Sequence, residues 1–287
     1  MKYSIGVDVG GTTIVAVLLK GKKIVKKLKI PTEKHKGKRK VISNILLIIN
    51  KLISDIPKKQ IIGVGVGFPG LVSKEKGRVL NCPNVSVINK TNIVKLIRGK
   101  FKLKCKIEND ANAAALAESR LNKKNNLICI SLGTGIGGGI IINGELYTGR
   151  GNGAELGHMI IDKNGAKCSC GNNGCLEAYI SQRAILGDAK EFKFNNVKEL
   201  AEFARENNKA KKAFIEMGKN LGVGLANIVN IFDPEIIILT GGVTGAADLF
   251  LKTALIEMNK RTWFKPCPVK VSKSREFIGA VGAGFLI

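Results

Sequence analysis

The sequence is poor in aromatic residues and has no long apolar run. One tryptophan and three tyrosines occur among its 287 residues. Its most apolar stretch, VISNILLIINKLISDI at 41–56, is interrupted by Asn44, Asn50 and Lys51, whereas a membrane-spanning helix needs about 20 consecutive apolar residues. We therefore expect no membrane span. Because no signal-peptide pattern precedes the first apolar strand, we expect a cytoplasmic protein.

Acidic residues are also scarce, with 22 Asp and Glu against 47 Lys and Arg, which gives a net charge of +25. An excess of this size is typical of proteins that bind nucleic acid. The lysines, however, are spread along the whole chain, with one modest cluster at residues 27–40 and no interleaved aromatic residues. We interpret most of this charge as solvated surface and expect no specific nucleic-acid partner.

The common nucleotide-binding signatures are absent, although two glycine-rich turns are present. The segments IGVDVGGTTIVAV at 5–17 and ISLGTGIGGGIII at 130–142 each place a glycine and threonine turn between two apolar strands. No G-K-[ST] follows either turn, and a strand rather than a helix comes next, which excludes a Walker A loop and a dinucleotide fingerprint. Such a turn can still hold a phosphate against its backbone N–H groups, but a plain hairpin turn is about as good an interpretation.

A third turn, LTGGV at 239–243, ends a strand before a helix, where adenosine or phosphate could rest against the backbone. Asp8, just before the first turn, is expected to orient Mg²⁺ through water; the alternative is a turn acid that bonds its own backbone. The candidate nucleotide-binding residues are Asp8, Gly10, Gly11, Thr12, Thr13, Gly133, Thr134, Gly135, Gly241 and Gly242.

Three of the seven cysteines, Cys168, Cys170 and Cys175, form a C-x-C-x4-C pattern with glycines that permit a tight turn. His158 would supply a fourth ligand. Three thiolates and one imidazole fill a tetrahedral site, so the pattern predicts structural Zn²⁺; a disulfide or a group of buried thiols is the alternative. The remaining cysteines are expected to be small buried hydrophobic residues: Cys82, Cys105, Cys129 and Cys267.

Strand and helix patterns alternate along the chain, which predicts an α/β fold, and the length favours two domains. The first three strands, separated by glycine turns, are expected to be antiparallel. Strands are predicted at 2–8, 13–19, 22–30, 61–67, 104–108, 127–132, 138–142, 236–240 and 268–272. Helices are predicted at 41–55, 111–121, 176–189, 197–206, 211–231, 247–260 and from about 276.

The segment ENDANAAALAE at 108–118 places polar residues where a strand meets a helix. Asp110 is expected to be the N-cap of that helix, which is a complete structural role by itself. A functional role is also open, because the amide of Asn109 suits a sugar hydroxyl and Asp110 can accept the proton of an attacking hydroxyl.

Together these motifs resemble the ROK family of repressors, open reading frames and kinases, specifically its sugar kinases of the glucokinase type. The resemblance covers nearly the whole chain, in the family's order and approximate spacing: DVGGTT, GVGVGFPG, ENDANAAALAE, LGTGIGGGI, GAELGHM, CSCGNNGCLE and LTGGV. It implies an actin-like, ribonuclease H-like fold of two α/β domains with the active site in the cleft between the domains. The implied small domain is residues 1–109 plus 273–287, and the implied large domain is residues 110–272 with the zinc loop.

The resemblance also implies residue roles. Its sugar ligands correspond to Asn109, Asp110, Glu155, His158 and Glu177, with Asp110 as the catalytic base. Its zinc ligands correspond to His158, Cys168, Cys170 and Cys175. The implied reaction is transfer of the γ-phosphoryl group of ATP, with Mg²⁺, to a hexose hydroxyl, with glucose to glucose 6-phosphate as the first choice. Outside the resemblance, Glu155 and Glu177 could be solvated acids at helix starts.

Several alternatives stay open within the family. The acceptor could be N-acetylmannosamine, N-acetylglucosamine, fructose or allose, and polyphosphate could be the donor. A repressor of the family would normally carry an added N-terminal helix-turn-helix, whereas the phosphate-loop strand is expected from Lys2; a non-catalytic sugar-sensing regulator would be expected to lose Asp110 or the glycine turns. The segment SVINKTNI at 86–93 lacks a tryptophan often found there, which leaves the pocket rim open. We expect a homodimer or higher homo-oligomer.

Overall fold

The computed structural model describes residues 2–273 and 276–287. The chain folds into two compact units, the first comprising Met1–Lys123, Gly144–Gly153 and Glu276–Ile287, and the second Lys124–Asn143 and Ala154–Arg275. These boundaries differ from the expected division after residue 109, because the helix that starts at 110 packs against the C-terminal helix within the first unit. Ser274 and Arg275, part of the expected small domain, lie outside the described residues.

Strands and helices alternate along the chain, and both are numbered from the N-terminus. The strands are β1 (Tyr3–Val9), β2 (Thr13–Lys20), β3 (Lys23–Pro31), β4 (Ile61–Phe68), β5 (Leu71–Ser73), β6 (Arg78–Asn81), β7 (Lys104–Asn109), β8 (Leu127–Leu132), β9 (Ile136–Ile142), β10 (Glu145–Tyr147), β11 (Ile236–Thr240) and β12 (Val269–Val271). The helices are α1 (Lys38–Ile53), α2 (Ile93–Phe101), α3 (Asp110–Asn122), α4 (Glu177–Ile180), α5 (Gln182–Asp188), α6 (Val197–Ala204), α7 (Asn208–Phe232), α8 (Ala247–Arg261) and α9 (Ile278–Phe285).

The sheet of the first unit has the strand order β3-β2-β1-β4-β7. The first three strands are antiparallel, as expected, while β4 and β7 run parallel to β1. Because side chains alternate across a sheet, the two faces of β1 and β4 differ. The branched side chains of Ile5 and Val66 join the core cluster that includes α1, whereas Gly6 and Gly65 lie against α9.

The contact between α9 and this sheet is made by backbone atoms. A Cβ added to Gly65 would lie 1.7 Å from the carbonyl oxygen of Ala283, and one added to Gly6 would lie 1.8 Å from that of Ala280. A Cβ added to Gly282 of α9 would likewise lie 1.6 Å from the carbonyl oxygen of Ala113. The glycines of α9, β1 and β4 therefore let one helix pack directly on the sheet and on α3.

The second unit has its own sheet, in which β9, β8, β11 and β12 lie side by side in that order. Strand β9 is antiparallel to β8, while β11 and β12 run parallel to it. The long helix α7 packs against α8. Its buried residues, including Phe214, Leu221 and Leu225, form one apolar core with the sheet residues Ile130 and Ile237.

Most predicted elements occur within a few residues of the expected bounds, although the short strand β10 was not expected and other differences occur. Helix α2 and the β5–β6 hairpin were not expected, because apolar spacing is interrupted by lysines and asparagines in that stretch. The expected helix at 176–189 is two helices, since Ser181 has extended backbone and its side chain caps α5. No helix among residues 2–273 and 276–287 has both the length and the apolar character that a bilayer span demands.

We expect Gly65→Ala to destabilise the protein, because a Cβ at this position collides with the backbone of α9, and overpacking a core costs about 1–3 kcal/mol or more. Gly99→Ala is the matched control. A Cβ at Gly99 of α2 meets nothing within 4 Å, and alanine is about 1 kcal/mol better than glycine in a helix. Thermal or urea unfolding should show a lower stability for Gly65→Ala and a higher stability for Gly99→Ala, each relative to the unsubstituted protein. Equal stabilities of the two variants would contradict the packing of α9 on the sheet.

Candidate functional site

The first candidate feature is the turn after β1, in the first unit. The N–H of Gly10 donates to the carbonyl oxygen of Thr13 at 2.9 Å, which closes the turn. Thr32 holds it from the side, since its hydroxyl donates to the carbonyl oxygen of Gly10 at 2.7 Å and its N–H to that of Thr12 at 2.8 Å. Gly11 and Thr12 stand at the tip, partly or fully exposed. The turn is therefore rigid and can present its tip to an anion.

Asp8 and Asp110 lie on either side of Gly67. A Cβ on Gly67 would be 3.7 Å from Oδ1 of Asp8 and 3.6 Å from Cα of Asp110. This juxtaposition follows from the register of parallel strands, in which Asp8 pairs with Gly67 and Asn109 with Phe68. Burial, together with the charge of Asp110, raises the pKa of Asp8 from 3.8 to about 7. Two carboxylates in this position favour a cation.

The N-cap of α3 is Asn109, not Asp110 as expected. The Oδ1 atom of Asn109 accepts from the N–H groups of Ala111 and Asn112, at 2.9 and 3.1 Å. Its Nδ2 donates to the carbonyl oxygen of Gly70 at 3.1 Å. Asp110 is the first helical residue, and its Oδ1 lies 2.9 Å from the N–H of Ala111. Asn109 is thus already engaged as a cap, while Asp110 is not needed for that purpose.

Glu108 supports these two residues, and the sequence patterns did not single it out. Its side chain is buried, and its Oε1 accepts from the N–H of Asn109 at 2.9 Å and from Nδ2 of Asn112 at 3.1 Å. Its Oε2 makes an ion pair with Lys74 at 2.6 Å. A buried carboxylate with these three partners is fully compensated. It fixes the backbone from which Asp110 projects.

In the second unit, Glu177 joins the second glycine turn to the cysteine loop. Its Oε2 accepts from the N–H of Ile136 at 2.8 Å. Its Oε1 accepts from the hydroxyl of Ser169 at 2.9 Å. A Cβ on Gly135 would lie 2.7 Å from Oε2 of Glu177. The turn can therefore approach the Glu177 carboxylate this closely only because residue 135 is glycine. Gly133 is held as well, because its carbonyl oxygen accepts from the N–H of Gln182 at 2.9 Å.

The four residues expected to bind zinc come together in the second unit. One ligand atom from each of His158, Cys168, Cys170 and Cys175 lies within 4.8 Å of every other. Sγ of Cys170 is 3.7 Å from that of Cys175, and Sγ of Cys168 is 3.8 Å from Nδ1 of His158. Tetrahedral zinc with ordinary bond lengths places two sulfurs about 3.8 Å apart. The cluster therefore has the size and the ligand types of a zinc site.

The other expected residues of this unit are placed as follows. Glu155 is exposed and precedes the short 3₁₀ turn Leu156–His158 that carries the imidazole. Gly241 has a φ of 88°, and a Cβ there would lie 2.3 Å from the carbonyl oxygen of Leu132. The hydroxyl of Thr244 donates to the carbonyl oxygen of Gly241 at 2.7 Å. The third turn therefore requires glycine for its shape.

A cavity of about 460 Å³ opens between two of these turns, with Gly133 and Gly242 both in its lining. Its volume lies within the range of small-molecule sites. Residues of α6 and its surroundings complete the wall, and the sequence patterns did not single them out: Gln182, Asn196, Val197, Lys198, Ala201, Glu202 and Arg205. Arg205 is fixed by Asp248, through hydrogen bonds of 2.9 and 3.0 Å. No glycine or acidic motif marks these residues, so sequence reasoning had no signal for them.

Comparison with known proteins finds relatives that match most of the chain. A glucokinase of Halalkalibacterium halodurans is 33% identical over 321 aligned residues, which cover 100% of this chain and 95% of that protein. A xylose repressor of Caldicellulosiruptor bescii is 34% identical over 264 residues, which cover 83% of this chain and 66% of the repressor.

A solved structure, a ROK family glucokinase from Streptomyces griseus in complex with glucose and AMPPNP, superposes with a TM-score of 0.84. It is 30% identical, and the match covers 99% of this chain and 98% of the other. This agreement shows the actin-like sugar-kinase fold expected from the motifs. The model of the ROK family matches residues 4–287, and the chain therefore belongs to the ROK family.

Proposed function

We propose that this protein is a sugar kinase that transfers the γ-phosphoryl group of ATP to a hydroxyl of a hexose, with glucose as the leading acceptor. The observation that carries the proposal is the pair of carboxylates Asp8 and Asp110 beside Gly67, next to the rigid turn at 10–13. The relatives named glucokinase, which match almost end to end, support the same activity.

In this proposal Asp110 accepts the proton of the attacking sugar hydroxyl. Asn109 remains available to a sugar only through its second amide hydrogen, because its Oδ1 accepts from two N–H groups and its other amide hydrogen goes to Gly70. Asp8 is the residue that would hold Mg²⁺, directly or through water, and a bound Mg²⁺ neutralises phosphoryl charge. Positioning and electrostatics supply most of the rate in such a transfer.

In this proposal the second unit holds the base of the nucleotide. We assign the cavity of about 460 Å³ to the nucleoside, because Gly133 and Gly242 line it. Glu155, His158 and Glu177 are the proposed sugar contacts on this unit. Since Nδ1 of His158 points to Cys168, Nε2 is the nitrogen left for a hydroxyl. Since both oxygens of Glu177 already accept hydrogen bonds, its further contact uses a remaining lone pair.

Two alternatives have particular observations behind them. The relatives include a xylose repressor, which supports a sugar-sensing regulator without kinase activity. A polyphosphate/ATP-glucomannokinase from an Arthrobacter strain is 26% identical with a TM-score of 0.70, which supports polyphosphate as an alternative donor. A panel of glucose, mannose, fructose, xylose and the N-acetylated amino sugars, each with ATP or polyphosphate, separates these cases. Sugar binding without turnover across the whole panel would favour the regulator.

We also propose that the cysteine cluster holds one structural Zn²⁺ per chain. All four ligand positions are filled by protein atoms, which is typical of structural rather than catalytic zinc. Burial raises the pKa of the Cys175 thiol to about 12, so metal binding must displace its proton. Zinc would thereby fix the loop whose Ser169 hydroxyl holds Glu177.

We expect Asp110→Asn to lower kcat by at least about 10²-fold, because asparagine cannot accept the hydroxyl proton and general-base catalysis is worth roughly 10² to 10⁴. Folding should be unchanged, since Asn109 rather than Asp110 caps α3. Steady-state kinetics and a thermal melt measure the two effects. Asp55→Asn is the control for loss of an exposed acid in the same unit. A kcat near that of the unsubstituted protein would remove Asp110 from the mechanism.

We expect Asp8→Asn to stabilise the protein without nucleotide at pH 8 but not at pH 4. The pKa of Asp8 in the folded protein, about 7, is above the value of 3.8 for a free aspartate. Ionisation therefore disfavours folding as the pH rises between these values, and the penalty is fully present above pH 7. Melting temperatures across this range measure it. A stability difference that stays constant with pH would contradict the burial of this carboxylate.

We expect Cys170→Ser to lose zinc and to lower the melting temperature, because structural metal binding contributes directly to folding free energy. Cys267→Ser is the matched control, since Cys267 is a half-buried thiol outside the cluster. Elemental analysis and thermal melts of both variants give the answer. Purified protein without zinc but with an unchanged melting curve would exclude a structural metal.

A further inference from the structure

A second and larger cavity, of about 1050 Å³, lies within the first unit. The cavity borders β7, which lies next to β4 at the end of the strand order β3-β2-β1-β4-β7. Its other walls come from the turn after β5, from helices α2 and α3 and from the end of α9. None of the glycine turns lines it, and neither Asn109 nor Asp110 does. It is therefore distinct from the site proposed for sugar and ATP, although Glu108, which supports Asn109 and Asp110, also lines it, and its volume is that of a large small-molecule site.

The lining of this cavity carries an excess of positive charge. It contains six cationic side chains, Lys74, Lys76, Lys95, Arg98, Lys106 and Arg120, and three acidic ones, Glu75, Glu108 and Glu145. Lys74 and the buried Glu108 neutralise each other at 2.6 Å. Five cations and two exposed acids then remain, which leaves a net charge of +3 on a concave surface.

Five of these six cations make no ion pair. Within residues 2–273 and 276–287, no ion pair involves Lys76, Lys95, Arg98, Lys106 or Arg120. In the basic stretch at 27–40, three of the cations pair with acids, Lys29 with Glu276 and both Lys36 and Lys40 with Glu33. Like charges gathered in a concave, partly apolar surface repel one another and raise the local concentration of anions.

The geometry of the cations suits a compact anion. Lys95 and Arg98 are three residues apart on α2 and therefore share one face of that helix, and Lys106 lies on the neighbouring strand β7. Arg120 is held over the ring of Phe285, with its Cζ 5.2 Å from the ring centroid. The buried side chains of Ile107 and Leu116 form an apolar floor. Guanidinium and ammonium groups above such a floor are the usual ligands of phosphoryl oxygens.

We propose that this cavity binds a small anion that carries phosphoryl groups, with Lys95, Arg98 and Lys106 as its main contacts. Two sources share this chemistry, a phosphorylated sugar and a short polyphosphate. The inference does not rest on the proposed kinase activity, because the cavity and its charges exist whatever reaction the other site performs. Occupation of the cavity would place the anion against β7, the strand that ends at Asn109.

Hydrogen–deuterium exchange of the full chain tests the proposal at the level of segments. Glucose 6-phosphate and tripolyphosphate are titrated separately to millimolar concentration, with glucose as the uncharged probe. We expect one or both anions to slow exchange in residues 94–108. In Arg98→Gln/Lys106→Gln the concentration for half-maximal protection should rise at least about tenfold, because each removed cation takes away a charge-assisted contact. Lys58→Gln/Lys59→Gln removes the same charge from exposed positions outside the cavity and should change this concentration less than about twofold.

Every outcome of this experiment decides the proposal. Protection by glucose 6-phosphate alone identifies a phosphorylated sugar, and protection by tripolyphosphate alone identifies polyphosphate. No protection of residues 94–108, or protection that the two double variants alter equally, overturns the proposal, as does protection confined to the turns at 10–13 and 133–135. Kinase activity is assayed separately on the same samples. Its absence would count against the proposed function and leave the cavity result standing.

Discussion

Direct backbone packing of α9 on the first sheet is the constraint on which the site of the first unit depends. Gly65 accommodates a carbonyl oxygen of α9 where any larger residue would place a Cβ. The same helix brings Gly279 against Asp8, where a Cβ would lie 2.5 Å from Oδ2. The helix thus removes water from one side of this carboxylate, and burial raises its pKa to about 7. The packing of α9 on the sheet therefore also determines the pKa of a carboxylate in the site.

Parallel pairing then places the second carboxylate. Because β1, β4 and β7 run in the same direction, their carboxyl ends meet at one edge of the sheet, which is where ligands of open α/β sheets bind. Asp8 near the end of β1 and Asp110 just after β7 both lie at this edge, on either side of Gly67 of β4. The ion pair of Glu108 with Lys74 helps to hold the C-terminal end of β7 in place. The repulsion between Asp8 and Asp110 adds to the effect of burial in raising the pKa of Asp8.

Sequence reasoning located most of these elements because the signals are local. Apolar spacing identified α1 and α7. The C-x-C-x4-C pattern, together with His158, predicted four metal ligands, and the fold brings their ligand atoms close to one another. The N-cap of α3 was misplaced by one residue, because Asn and Asp cap helices equally well and adjacent positions offer the same signal. The partner of Glu108 could not be found either. Lys74 lies 34 positions earlier, and nothing local distinguishes it from the chain's many other lysines.

The distribution of charge separates two roles of electrostatics in this protein. A net charge of +25 acts on anions approaching from solution, but at physiological salt its reach is about 8 Å, so it aids encounter without choosing a ligand. Selection of one anion over another requires charges at fixed positions. Lys29 and Glu276 neutralise each other in an ion pair, whereas Arg98 and Lys106 line a cavity of net positive charge and make no ion pair among the described residues. The proposed anion site therefore depends on the concave part of the surface, where field lines converge and fixed charges act most strongly on an anion.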